Sequence, residues 1–251
     1  MSNPAVTLPG WKRWSLAAHD LMWPLRCPAC RAGMSREAEP GDFCPSCGDS
    51  LCPIEPPFCQ GCAEPFPGDI PGDFTCPNCQ GKRQAYDFAV CRWLSRGPVR
   101  EAIHRLKYSH AAAMRLPLAR LMLPALNDAR LAGSDWLLVP VPLHPRKHRE
   151  RRYNQSAELA RTLARLSGWP WRDALRRIRY TVSQAGLDRD DRLKNLRGAF
   201  SLRPRALPHI AGRDVLLIDD VLTTGATAHE CALTLKNHGA RKVVVLTAAR
   251  G

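Results

Sequence analysis

Two groups of residues in this 251-residue chain have types and spacings suited to chemistry. The first is a set of cysteine pairs: Cys27-Pro-Ala-Cys30, Cys44-Pro-Ser-Cys47, Cys59-Gln-Gly-Cys62 and Cys76-Pro-Asn-Cys79. Thirteen residues separate Cys30 from Cys44, and thirteen separate Cys62 from Cys76, so the second half repeats the first at an offset of 32. The tetrapeptide Pro-Gly-Asp-Phe precedes the later pair of each half, at Pro40–Phe43 and Pro71–Phe74, which marks an internal duplication. A Cys-x-x-Cys turn aims two sulfurs at one point, and two such turns complete a tetrahedral thiolate shell for zinc. Zinc then supplies folding energy that a short Pro/Gly-rich segment cannot draw from a core. Disulfides are the competing reading. They fit poorly, because Lys12, Arg13, His19 and Asp20 interrupt any export-signal core near the N-terminus. Iron–sulfur runs are usually spaced more tightly. Two structural zinc ions are therefore expected. The duplication favours sequential pairing, Cys27/Cys30/Cys44/Cys47 and Cys59/Cys62/Cys76/Cys79; a crossed pairing is the alternative. Cys52, Cys91 and Cys231 read as small apolar residues, although Cys52 lies between the repeats and is a possible substitute ligand.

The second group is Val215-Leu-Leu-Ile-Asp219-Asp220-Val-Leu-Thr223-Thr224-Gly225-Ala-Thr227. Four apolar residues of strand type deliver two carboxylates to a sheet edge, and a Thr/Gly loop leads into a helix. Loop amides and a helix N-terminus together make an anion nest. Thr223, Thr224 and Thr227 add hydroxyls, and Gly225 permits close backbone approach. A phosphate suits the nest, and sugar hydroxyls suit Asp219 and Asp220. A plain strand-turn-helix would not need Asp-Asp and three threonines together. No Walker motif is present and no Gly-x-Gly-x-x-Gly follows a strand, so neither nucleoside triphosphatase nor dinucleotide-binding chemistry is indicated.

These residues need elements to hold them. Val99, Ile103 and Leu106 mark a short helical face, and Leu116 to Leu131 reads as a second helix despite Pro117 and Pro124. Trp136 to Val141 has strand length, Ser156 to Leu166 is helical, and Ala226 to Asn237 is helical. Val215 to Ile218 and Lys242 to Thr247 are continuous apolar runs, typical of strands buried on both faces. Such alternation predicts an α/β fold: a parallel sheet with helices on both faces, its ligand site beyond the strand C-termini. Near the N-terminus, Trp14, Ala17, Ala18, Leu21 and Leu25 share one helical face, which predicts a packing helix over residues 1–25; an interfacial helix is the alternative.

The chain carries 37 Lys and Arg against 23 Asp and Glu, a formal net charge of +14. Residues 1–79 are net −4, residues 80–210 net +17 and residues 211–251 net +1. A body that basic suits an anionic partner such as nucleic acid or a phosphorylated small molecule. Arg149, Arg151 and Arg152 close the run Arg146–Arg152, in which Glu150 is the one acidic residue. They are the candidate contacts for single-stranded DNA. Tyr86, Trp93, Tyr108 and Tyr153 lie among basic residues and offer stacking rings, though each also suits a core. No apolar stretch reaches bilayer length, so no membrane span is expected.

Val215–Thr227 resembles the PRPP-binding signature of type I phosphoribosyltransferases, and the chain as a whole resembles the ComF family of competence proteins. The resemblance rests on the Cys-knuckle head, Leu106-Lys107-Tyr108, Val139-Pro-Val-Pro142, Arg152-Tyr153-Asn154-Gln155, Ser183-Gln184, Arg192-Leu-Lys-Asn195 with Phe200, and the signature itself. It implies a double zinc ribbon over 26–80 and a type I phosphoribosyltransferase-like domain over 81–251, after the N-terminal helix expected over 1–25. It also implies a cytoplasmic role in handling DNA during natural transformation, alongside other competence-machinery proteins. By resemblance, Asp219 and Asp220 hold the ribose hydroxyls of PRPP, and Thr223, Thr224, Gly225 and Thr227 cradle its 5′-phosphate. Val141 to Lys147, with Pro142, Leu143, Arg146 and Lys147, matches the pyrophosphate loop, and Mg²⁺ accompanies the diphosphate. Arg192 and Lys194 fall where these enzymes have a lid. Acceptor contacts are expected from residues 80–110. The acceptor and turnover stay open, and a non-catalytic single-stranded DNA-binding module with a relic PRPP site is the alternative function.

Overall fold

A computed structural model describes residues 25–35, 37–39, 41–70, 72–81, 84–108, 112–180 and 194–251. The expected helix before Leu25, Ser183-Gln184 and Arg192 lie outside the described residues. In chain order the elements are α1 (Pro45–Asp49), β1 (Phe88–Val90), α2 (Gly97–Tyr108), α3 (Arg115–Met122), β2 (Trp136–Pro140), α4 (Pro145–Arg151) and α5 (Gln155–Ser167). There follow β3 (Leu175–Arg177), β4 (Phe200–Leu202), α6 (Leu207–Ile210), β5 (Asp214–Leu222), α7 (Ala226–Asn237) and β6 (Lys242–Arg250).

Strands β1, β6, β5 and β2 form one sheet in that order, every neighbouring pair parallel. Side chains alternate across it with the strand period of two. Leu138, Leu216, Ile218, Val244 and Leu246 point into a core shared with α2, α3 and α5. Leu137, Val139, Val215, Leu217, Val243 and Val245 point into the opposite core, closed by α7 and by the antiparallel pair β3–β4. Because both faces are covered, the strands read as unbroken apolar runs rather than as alternating ones.

Helix α5 is delimited at both ends by its own sequence. The Asn154 side chain accepts from the Ser156 amide (3.1 Å) as N-cap, and Gly168 closes the helix in the left-handed region at φ 76°. The helix expected over Leu116–Leu131 is shorter than that. It ends at Met122, and single tighter turns follow at Leu123–Asn127 and Ala129–Leu131. Pro117 is tolerated in the first turn of α3. Pro124 lies two residues beyond the last helical residue, where its missing N–H and its ring prevent continuation. Strand β5 runs on past Ile218 to Leu222, so Asp219 and Asp220 are strand residues rather than loop residues.

The cysteine-rich head packs against the body at several points. Backbone bonds join Ile54 to Arg92 (2.7 Å) and Ala89 to Gly61 (2.9 Å). The Arg130 guanidinium donates to the Gln60 carbonyl (3.0 Å), and Arg120 pairs with Glu39 and Asp42. Among the described residues no helix is long and apolar enough to cross a membrane.

Candidate functional site

The eight knuckle cysteines gather into two groups of four, Cys27/Cys30/Cys44/Cys47 and Cys59/Cys62/Cys76/Cys79, with the sulfurs of each group within 4.8 Å of one another. The pairing is thus the sequential one. None of the eight is joined in a disulfide. The duplication extends to detail: the Cys44 amide approaches the Cys27 sulfur at 3.4 Å, and the Cys76 amide approaches Cys59 at 3.3 Å. Burial works against ionisation of Cys59, yet the amides of Cys76, Cys62 and Gly61 outweigh it and bring that thiol down to about 7. Burial, and behind it the charge of Cys59 and Cys76, raises Cys62 to about 11. Four sulfurs packed this closely cannot all ionise without a cation between them, and the donor set fits a tetrahedral zinc ion. Cys52 belongs to neither group; Cys91 and Cys231 are buried.

Asp219 and Asp220 stand near the C-terminal end of β5, on the floor of a cavity of about 550 Å³. The Ser156 hydroxyl, in the first turn of α5, donates to Asp219 Oδ1 (2.8 Å), and so does the Asp220 amide (2.9 Å). Lys107 Nζ, near the end of α2, pairs with Asp220 Oδ1 at 3.0 Å. Burial first, then the adjacent Asp220 carboxylate, pushes Asp219 up to about 7, against the pull of Ser156, the Asp220 amide and Lys107. The first turn of α5 is held over this floor from two sides. Asn154 Nδ2 donates to the Val141 carbonyl (3.0 Å), and the Tyr153 hydroxyl donates to the Leu106 carbonyl (2.6 Å).

Pro142, Leu143, Lys147, Thr223 and Thr227 line the same cavity. Thr224 and Gly225 face a second, smaller cavity of about 280 Å³ behind the loop. Gly225 sits at φ +77°, and a Cβ there would lie 2.9 Å from the Tyr86 hydroxyl oxygen, so both conformation and space require glycine.

The basic run that the sequence shows as one block is divided by α4. Lys147 and Arg151, four residues apart on one helical face, line the cavity. Arg149 and Arg152 are exposed and do not line it. Arg146 also stays outside, its guanidinium 4.6 Å from the centre of the Tyr180 ring. Burial, together with Arg151 and Arg177, pushes Lys147 below the usual lysine range. Positive potential is therefore concentrated over the floor carboxylates, where an anion would relieve it. Of the four rings noted above, Tyr86 is buried, and Trp93 and Tyr153 are tied to backbone carbonyls; Tyr108 alone of the four is exposed, under the Arg151 guanidinium.

Lys107, Arg177, Ser156, Arg100 and His104 were not singled out for the site from the sequence. Ser95, Arg100, Ile103, His104, Lys107 and Tyr108 form one wall of the cavity, within the 80–110 stretch expected to supply acceptor contacts. Leu106-Lys107-Tyr108 and Arg152-Tyr153-Asn154-Gln155 were the available signals. Arg177, from β3, had none.

Comparisons with known proteins find two families along the chain. A double zinc ribbon domain family matches residues 18–80, and a phosphoribosyl transferase domain family matches residues 155–251. Competence protein F of Haemophilus influenzae is 30% identical over 223 residues, covering 82% of this chain and 96% of that protein. DNA utilization protein YhgH of Escherichia coli is 38% identical over 152 residues, covering 59% of this chain and 65% of that protein. Among solved structures, the Bacillus subtilis glutamine PRPP amidotransferase gives a TM-score of 0.35 at 20% identity, over 54% of this chain and 26% of that one.

Proposed function

Since this chain belongs to the competence protein F family, we propose that its 550 Å³ cavity binds PRPP and that the protein supports DNA uptake in natural transformation. The observation that carries the PRPP reading is the floor itself. Two adjacent carboxylates sit on one strand end under Lys107, Lys147, Arg151 and Arg177, beside a Thr/Gly loop that opens a twelve-residue helix. Asp219 and Asp220 would accept from the ribose hydroxyls. The amides at the start of α7, with Thr223 and Thr227, would take the 5′-phosphate. Lys147, with Pro142 and Leu143 behind it, would face the diphosphate.

Bound with the diphosphate, Mg²⁺ supplies charge neutralisation for the leaving group. Phosphoribosyl transfer to a nitrogen acceptor would break the C1–O bond to diphosphate and form a C1–N bond. Asp219 and Asp220 would steady the positive charge that develops on the ribose. The α2 wall, with Arg100, His104 and Tyr108, is the side from which an acceptor would enter. The head would carry two zinc ions, one per cysteine group, and the protein would act in the cytoplasm beside other competence-machinery proteins.

Calorimetric titration with PRPP and Mg²⁺ tests the reading. The wild type should bind, and Asp219→Asn with Asp220→Asn should abolish binding while leaving the metal content of the head unchanged. Equal PRPP affinity in the double variant would remove these residues from the site.

A second reading is favoured by the exposed arginines Arg149 and Arg152, which do not line the cavity, and by the exposure of Tyr108, whose ring His104 and Arg151 also approach. They suit a single-stranded DNA backbone passing the mouth of the site, with a base free to stack on the ring.

A further inference from the structure

We propose that Arg250 is a positioning residue for the loop Thr223–Thr227, and that it acts from an anchor in the second cysteine knuckle. The proposal rests on reading that loop as the PRPP phosphate site. Arg250 is the last residue of β6, paired in register with Leu222, the last residue of β5 before the loop. Its side chain is 7% exposed. Nε donates to the Cys62 carbonyl (3.1 Å), and Nη1 donates to the Leu222 carbonyl (2.9 Å) and to Gly251. Nη2 pairs with the Glu64 carboxylate. One buried guanidinium thus joins the backbone of the second knuckle to the residue from which the loop departs.

A second tie comes from the segment that follows the knuckle. The Tyr86 hydroxyl backs Gly225, and the Ala85 amide donates to His229 Nδ1 (3.1 Å), on the first turn of α7. The 280 Å³ cavity lies between these groups, with Asn78 and Cys79 on one side and Thr223, Thr224 and Gly225 on the other. The first knuckle is attached elsewhere: Arg105 Nη1 donates to the Pro28 carbonyl (2.8 Å) from the last turn of α2. The two halves of the duplication therefore play different parts. The first braces a helix, and the second holds the back of the loop.

The chemistry demands arginine. A planar fork can satisfy two carbonyls on different segments and a carboxylate at once, which a lysine point charge cannot. When one of these partners moves, the buried charge loses compensation and Leu222 must follow.

Two measurements on the full-length, metal-loaded protein test this. Amide hydrogen exchange across residues 222–228 reads the loop without any ligand, and calorimetry reads PRPP affinity. Arg250→Gln should keep its zinc content, speed exchange across the loop, and weaken PRPP binding tenfold or more. Arg250→Lys should fall between it and wild type. Arg105→Gln, which removes a comparable head-to-body bond, should leave loop exchange and affinity unchanged. Should Arg250→Gln fail to fold, Glu64→Gln removes the charge opposite Nη2 while the Cys62 bond stays, and loop exchange should rise there too, by less. Unchanged loop exchange in the folded Arg250 or Glu64 variants would overturn the proposal, as would equal acceleration in Arg105→Gln. Faster exchange in a protein whose wild type binds no PRPP would uphold the coupling and overturn the PRPP reading instead.

Discussion

Asp219→Asn should make the unliganded protein more stable above pH 7 while removing its PRPP affinity. In the folded chain Asp219 holds its proton up to about pH 7, because burial and the neighbouring Asp220 carboxylate both disfavour its charge. An unfolded aspartate releases its proton near pH ~4. Between those values the folded state binds more protons than the unfolded state, so stability falls as pH rises, and the loss is complete above pH 7. A difference of roughly three pH units at about 1.4 kcal/mol each sets a ceiling of about 4 kcal/mol. Asp219 opens onto the cavity and shares Lys107 with Asp220, so about half of that, roughly 2 kcal/mol, is expected. Asparagine has nearly the same shape and still accepts from the Ser156 hydroxyl and the Asp220 amide, so packing should not confound the comparison. For a chain of this size 2 kcal/mol corresponds to a Tm gain of roughly 4–8 °C. Urea denaturation of both proteins at pH 4, 6 and 8, without PRPP or Mg²⁺ and at fixed zinc, measures it. The variant should match wild type at pH 4 and exceed it at pH 8. A stability difference that stays flat across that range, or a less stable variant at pH 8, would refute the assignment of strain to this carboxylate.

Metal analysis of the purified protein should find two zinc ions per chain, and a strong chelator should unfold the head; fewer than one ion per chain with oxidised cysteines would refute the four-thiolate assignment. Arg149→Glu with Arg152→Glu, which leaves the cavity-lining Lys147 and Arg151 in place, should weaken single-stranded DNA binding and flatten its salt dependence by about one to two released counterions while sparing PRPP affinity. Fluorescence anisotropy with a labelled oligonucleotide at two salt concentrations separates this from a solvated surface: an unaltered affinity and salt slope would clear these arginines of any DNA role.

What was legible in the sequence follows from the range of the interactions that fix it. Strands β5 and β6 announce themselves because both their faces are buried, so every residue from Val215 to Ile218 had to be apolar. The cysteine centres were legible because each pair is local and the duplication repeats the register. The three-residue strands β1, β3 and β4 were not, since three residues carry no period, and their pairing partners lie far along the chain. Helix α4 had a signal in Pro145 as its first residue after the cap His144, yet Val141–Lys147 was matched to a pyrophosphate loop by resemblance and Arg146–Arg152 was read only as a run of charge.

The helix matters for function more than for fold. Read as sequence, the run Arg146–Arg152 presents its charges as one cluster. Wound into a helix capped by the His144 side chain, it obeys the 3.6-residue period, and the charges part company. Lys147 and Arg151 turn into the cavity beside Asp219 and Asp220, while Arg149 and Arg152 stay in solvent. On the proposed function, one short helix would offer a small anionic ligand and a long anionic polymer two separate sets of charges, so occupation of one need not displace the other. Lys107 shows the opposite case. Only the Leu106-Lys107-Tyr108 match marks it locally, and that match says nothing of its partner, because its role depends on the Tyr153 hydroxyl bond to Leu106, which sets the end of α2 against the start of α5 and brings Lys107 over a carboxylate more than a hundred residues away. Residues recruited into a site by tertiary contact leave only their type in the sequence, and a lysine in a chain of net charge +14 is the least informative type to leave.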